Sequence, residues 1–401
     1  MVITFDRFNK IKTVEYFLRC FNRALKLKPT DKHITIKIEK EFPAYPETIV
    51  PLAGILDFLR DKGFSLYVEY NDTPLTGTGM HKPYTIADNS YELLSPMYKV
   101  WKYNSPEEVY KIVDALVKYL NTKIVCAKGV VEAFEWTVNE VMDNVIQHSQ
   151  SANGYIMCTA TSNSHISVAI YDNGIGIYKS FQGTHYRLQN SYDAIILAMQ
   201  EGATRDKSIG QGNGLWGMSK LLASNKGSLS IASSEANVSI TESNGMIKRP
   251  VSTKYYLGEL CYQMGTLVDF QFQCNNEVSL TEVFGADYLY TNLNLESLED
   301  ENERISLKVN DFSFGYATRM AGERARTMAI NCAIQSDYKQ LILLDFSWVG
   351  IIASSFADEF IGKMIHHFGF IQFNSLFRII NVSEENMAII NRSIMQRSNI
   401  A

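Results

Sequence analysis

The stretch Glu140-Val-Met-Asp-Asn144-Val-Ile-Gln-His148 constrains this chain more than any other. Glu140, Asn144 and His148 recur every four residues, which sets a carboxylate, an amide and an imidazole on one side of a helix. Phe134, Val138, Val141 and Val145 form the apolar face, so the helix must bury that face and present the polar one. Asp172-Asn-Gly174-Ile-Gly176 follows at the end of an alternating strand, and Gly210-Gln-Gly212-Asn-Gly214-Leu215 then opens another helix. An acid with an amide, an acid in a glycine turn and a glycine-rich helix start, in that order, describe a nucleotide site.

Each element carries its own chemistry. A carboxylate at Glu140, beside a phosphate chain, can orient and deprotonate an attacking hydroxyl or water. The bland alternative is a solvated helical acid. Asn144 offers an amide oxygen of the kind Mg²⁺ takes. His148 also reads as a simple helix-end histidine. Asp172 can accept a hydrogen bond from an exocyclic amine, or can belong to an ordinary Asp-Asn-Gly turn. Gly174 and Gly176 permit close backbone approach to a ligand. Free N–H groups at the helix start by Gly210, Gly212 and Gly214 attract phosphate. Gly212-Asn-Gly214-Leu-Trp-Gly217 also satisfies the dinucleotide pattern G-x-G-x-x-G, but it follows a polar segment and lacks the strand that fingerprint requires. A P-loop ending in Gly-Lys-Ser/Thr does not occur.

The bulk properties narrow the class. With 401 residues, 46% of them hydrophobic, the chain has the length for two or three domains with real cores. A net charge of -5 gives no general reason to expect nucleic acid as partner. No apolar run reaches the ~18 residues of a membrane span, and the first residues lack the apolar core of a secretion signal. Cys20, Cys126, Cys158, Cys261, Cys274 and Cys332 are scattered without a C-x-x-C pair, which suits free thiols and a cytoplasmic location.

The spacing predicts an N-terminal α/β unit over residues 1–100, with helices at 8–28 and 48–62, strands around 34–38 and 65–70, and an irregular connector at 71–100. Pro43 and Pro46 read as breakers. Ser105, Pro106 and Glu108 start a helix running to about 121 through a capping box. Helices at 128–149, near 192–201 and at 214–224 follow, with strands at 154–161, 165–172, 228–233, 237–242, 253–257 and 266–273. Asn244-Gly245 signals a hairpin. An acidic linker precedes a third unit, 303–401, whose strands and helices alternate as in an α/β layer. In it, Ser354 or Ser355 reads as the cap of the helix 355–368 and Ser383 as the cap of the last helix.

Residues 105–275 resemble the ATP-binding domain shared by DNA gyrase, the MutL repair proteins, sensor histidine kinases and anti-sigma-factor serine kinases, the GHKL or Bergerat family. The resemblance implies a Bergerat α/β sandwich between the N-terminal α/β unit and the C-terminal domain, an α+β architecture overall. It implies Glu140 as general base, Asn144 as Mg²⁺ ligand and Asp172 on the adenine amine. Gly174 and Gly176 then belong to the adenine box, and Gly210, Gly212, Gly214 and Leu215 hold the phosphates. Thr266 supports Asp172 and adenine, and the segment between the glycine boxes is a mobile lid. Arg205 and Lys207 in that lid can reach a γ-phosphate or stay solvated. The motif around Glu140 looks most like the serine-kinase branch. The last unit, with Leu343-Leu-Asp345-Phe-Ser347 and Ser354-Ser355-Phe-Ala-Asp358, resembles the STAS fold of anti-anti-sigma factors. Ser355 occupies the position of that family's phosphate-accepting serine. Ala353 and Phe356 stand where its pattern has an acid and a glycine.

The expected protein binds ATP and Mg²⁺ and acts at the γ-phosphate as an ATPase or serine kinase-like regulator, its ATP state controlling the STAS-like domain or a partner. The alternative is a nucleotide-gated interaction or dimerisation module with slow hydrolysis and no protein phosphorylation. A partner protein on the STAS-like domain and a homodimer fit either. A histidine-kinase reading is poor, because no phosphoacceptor-histidine helix precedes the ATP domain.

Overall fold

The computed structural model describes residues 1–5, 11–27, 32–38, 43, 45–70, 75–161, 165–203, 213–242, 244–250, 265–285, 293–312 and 315–398. The chain forms two compact units, one of residues 1–116 and 133–273, the other of residues 117–132 and 274–401. The first unit opens with strands β1 (Val2–Phe5), β2 (His33–Ile38) and β3 (Ser65–Tyr70), paired in parallel in the order β1-β2-β3. β1 is too short, at four residues, to show periodicity and escapes sequence reading. Helices Ile11–Leu27 and Pro46–Asp61 connect these strands. Pro46 is not a breaker but the first residue of its helix, where a missing N–H costs nothing.

A seven-stranded antiparallel sheet forms the rest of this unit. Its strands are β4 (Trp101–Tyr103), β5 (Gly154–Ala160), β6 (His165–Asp172), β7 (Ser228–Ser233), β8 (Ala236–Thr241), β9 (Gly245–Pro250) and β10 (Thr266–Gln273). They lie in the order β4-β5-β6-β10-β7-β8-β9. The hairpin signalled at Asn244-Gly245 joins β8 to β9, in register Thr241↔Gly245. The strand expected at 253–257 falls outside the described residues. β4 begins just past the connector expected at 71–100, where no strand was expected.

Strand alternation gives this sheet two buried faces. Tyr155, Met157, Ala169, Tyr171 and Leu267 join one apolar cluster with Ile49, Ala53 and Leu56 of helix Pro46–Asp61, so the N-terminal element covers one face. Ile156, Ile170, Val268 and Phe270 point to the other, where helix Gly214–Ser224 packs on β7 and β10. Asp57 sits in the covered face and accepts from Lys102 Nζ at 2.8 Å, Tyr155 Oη at 2.8 Å and Arg60 Nη1 at 3.2 Å, which satisfies a carboxylate drawn out of water.

The second unit carries a parallel sheet, β11 (Ile305–Lys308), β12 (Ile342–Asp345) and β13 (Phe377–Ile380), in sequential order. Helix Arg319–Gln335, capped by Thr318, lies between β11 and β12. Phe346, Phe356, Phe360 and Met364 fill the core beneath it. The helix after β12 starts at Ser354 but its cap is Ala353, with no side-chain cap bond, so neither Ser354 nor Ser355 caps it as expected. It passes through a π turn, Asp358–Gly362, into Lys363–Phe368. Ser383 caps the last helix, its Oγ accepting from the Asn386 amide at 3.2 Å.

Asn331 anchors the 117–132 segment within this unit. Only 1% exposed, it donates to the carbonyls of Asn121 (2.9 Å) and Ile124 (2.8 Å) and accepts from the Cys126 amide (3.1 Å). Asn331→Leu strands three buried backbone groups, and we expect it to cost about 2–4 kcal/mol, read as a lower melting temperature. Among the described residues no helix is long and apolar enough to cross a membrane.

Candidate functional site

Helix Val130–His148 carries the polar stripe read from sequence, with Phe134, Val138 and Met142 buried beneath it. Glu140 and Asn144 meet the start of helix Gly214–Ser224. A side chain at Gly214 would stand 2.6 Å from Glu140 Oε2 and 3.4 Å from Asn144 Nδ2. The glycine therefore lets the helix start close on both groups. Burial, and then the nearby Asp143 carboxylate, raise the pKa of Glu140 above the usual carboxylate range. A carboxylate raised in this way holds a proton more readily, a property that suits proton abstraction. Leu215 is half-buried in the first turn, and the Asn213 carbonyl accepts from the Gly217 amide at 2.7 Å. Gly210, Gly212, Arg205 and Lys207 lie outside the described residues. His148 ends its helix, half-buried.

Gly214→Ala adds a methyl to a position that tolerates helix and pushes the Glu140 carboxylate aside. We expect melting to stay within about 1 kcal/mol of wild type, since alanine favours a helix, and any turnover dependent on Glu140 to drop at least about tenfold.

Asp172 ends β6, 3% exposed. Its Oδ1 accepts from the Gly174 amide at 2.7 Å. Desolvation raises its pKa to about 7, and hydrogen bonds from the Gly174 and Thr266 amides hold it from rising further. The surrounding backbone closes tightly on it. A Cβ at Gly265 would lie 2.4 Å from Asp172 Oδ1, and one at Gly174 2.1 Å from the Ser149 carbonyl. The Ile175 amide donates to that same carbonyl at 2.8 Å, which ties the glycine turn to the end of the Glu140 helix. Gly176 adopts φ +76°, where Ser233 and Ser234 leave no room for a side chain. Ser233 Oγ accepts from the Ile177 amide at 2.8 Å and lies 3.1 Å from Thr266 Oγ1. Sequence reasoning missed Ser233, because a serine at a strand end carries no local signal.

The structure thus gathers two groups, Glu140–Asn144–Gly214 and Asp172–Gly174–Thr266, joined through Ser149. The arrangement offers a half-buried carboxylate and side-chain amide at a helix start, and a deeply buried carboxylate in a glycine turn.

Compared with family profiles, residues 129–247 match the histidine kinase-, DNA gyrase B- and HSP90-like ATPase family, and residues 324–387 match a STAS-like domain of unknown function. Each covers less than half of the chain. No curated protein matches. Among solved structures, the crystal structure of full-length ShkA in complex with AMPPNP is 11% identical, covering 95% of this chain and 72% of that one, with a TM-score of 0.24. A score that low gives the likeness no weight. The chain carries a central ATPase-type domain and a C-terminal STAS-like domain in a mixed α+β architecture.

Proposed function

We propose that this chain binds ATP with Mg²⁺ and acts at the γ-phosphate as a regulatory ATPase or serine kinase of the GHKL kind, its nucleotide state controlling the STAS-like domain or a protein partner. The observation that carries this reading is the meeting of Glu140 and Asn144 with the start of helix Gly214–Ser224. Carboxylate, side-chain amide and anion-attracting N–H groups share one place there, as γ-phosphate chemistry needs. Asp172 supplies the acceptor for the adenine amine, and Thr266 supports it through its amide.

The donor set suits Mg²⁺. Among the described residues no group of three or more His, Cys, Asp or Glu could hold a metal. A hard ion that arrives on phosphates needs only one or two protein oxygens, and Asn144 has one. Bound there, Mg²⁺ would neutralise phosphate charge. Glu140 takes the proton of the attacking water or hydroxyl and orients its oxygen, while the helix N–H groups hold the phosphates in line. A cytoplasmic location and a homodimer are consistent with this role.

Two outputs remain in view. Resemblance to the serine-kinase branch favours phosphorylation of Ser355 or of a partner's serine. One observation favours the gated module instead. Ser355 is half-buried in the second helical position while Ser354 is exposed, and Asp358 stands one turn on, held by Arg397 at 2.7 Å. Incubation with γ-labelled ATP and Mg²⁺ separates them, using wild type, Glu140→Ala and Ser355→Ala. Label kept on wild-type protein and lost in both variants supports the kinase. Free phosphate without labelled protein, abolished only by Glu140→Ala, supports the ATPase module. No ATP binding at all rejects the proposal.

A further inference from the structure

Tyr103 is 1% exposed, and among the described residues its hydroxyl has no hydrogen-bond partner. It belongs to the three-residue β4 and pairs with Gly154 of β5, which in turn pairs with Asp172 of β6. Residues in one such row point to the same face of a sheet. The middle member has no side chain, and the tyrosine uses that space. A Cβ at Gly154 would stand 2.3 Å from Tyr103 Cζ and 2.5 Å from Oη. The ring therefore reaches across β5, and its hydroxyl ends toward Asp172. Burial, and then the Asp172 and Asp143 carboxylates, hold the phenol well above its usual pKa, so it stays a donor. Buried hydroxyls are rarely left unpaired, and an orphan beside a ligand site calls for a ligand or a water.

This step rests on the ATP reading above. We propose that Tyr103 is a specificity-determining residue of the base pocket: its hydroxyl donates, directly or across one water, to ring nitrogen N1 of adenine while Asp172 accepts from the neighbouring exocyclic amine. A donor beside an acceptor matches the adenine edge, whose N1 accepts and whose amine donates. It opposes guanine, whose edge presents a carbonyl acceptor and an N–H donor at those places.

The test is calorimetric titration of wild type and Tyr103→Phe with ATP and with 1-deaza-ATP, which has a C–H in place of N1. We expect wild type to prefer ATP by about tenfold and Tyr103→Phe to bind ATP about five- to tenfold more weakly. The variant should bind the two nucleotides alike, because the missing bond cannot be lost twice. Its melting temperature without nucleotide should equal or exceed that of wild type, since no bond is removed. A merely structural tyrosine would weaken both nucleotides equally and leave the preference intact, which overturns the proposal. Wild type that binds ATP and 1-deaza-ATP equally also overturns it. Wild type that binds neither rejects the ATP reading itself, and this inference with it.

Discussion

Asp172→Asn is expected to weaken ATP binding about 100-fold while the nucleotide-free protein melts no lower than wild type. The carboxylate is buried, and two backbone amides point at it. An amide in its place keeps an oxygen for those donors but turns its NH₂ toward the adenine amine, so a charge-assisted bond becomes a donor–donor contact. Stability moves the other way, because burying the charge is what raises the pKa from 3.8 to about 7. Between those values the folded state holds a proton that the unfolded chain releases. Asp172 therefore favours the fold at low pH, and that contribution is lost as pH rises through about 7. ATP binding needs the ionised form and should weaken by up to tenfold per unit as pH falls below about 7. The difference between wild type and Asp172→Asn, in melting and in titration across pH 5–9, isolates the residue from phosphate ionisation. Identical ATP affinity for the two proteins would remove Asp172 from the base pocket.

Glu140→Gln is expected to reduce phosphate release or transfer by about 10²–10⁴-fold and to leave ATP affinity within about threefold. The substitution keeps shape and hydrogen-bonding reach but cannot take a proton. It also removes one of two neighbouring acids, since Asp143 contributes to the raised pKa of Glu140. Binding an anionic ligand near that pair becomes slightly easier, which separates a loss of chemistry from a loss of affinity. Single-turnover measurements at saturating ATP decide it. A Glu140→Gln protein with wild-type turnover would assign the proton to another group.

Much of the site was legible because its parts are local. Helical spacing placed Glu140 and Asn144 one turn apart, and Asp172-Asn-Gly174 announced a strand end and a turn before any contact was known. The strands 228–233 and 266–273 emerged at their observed limits, since alternation over six to eight residues is a strong signal. Short or shielded elements were not legible. β1 and β4 have four and three residues, and Phe370–Leu376 hides behind a glycine. The cap before Ser354 was misread because Ala353 takes the extended conformation there without any side-chain bond.

The amino-acid order alone determined which groups exist, their sequence along the chain and the chemistry they can perform, because helix and strand periods act over neighbouring residues. Only the tertiary structure decided that Gly214 closes on Glu140 and Asn144, that helix Pro46–Asp61 covers one face of the large sheet, and that Tyr103 reaches over Gly154 toward Asp172. These depend on strand order and register between residues far apart in the chain. Burial and long-range pairing set those, and no local pattern encodes them.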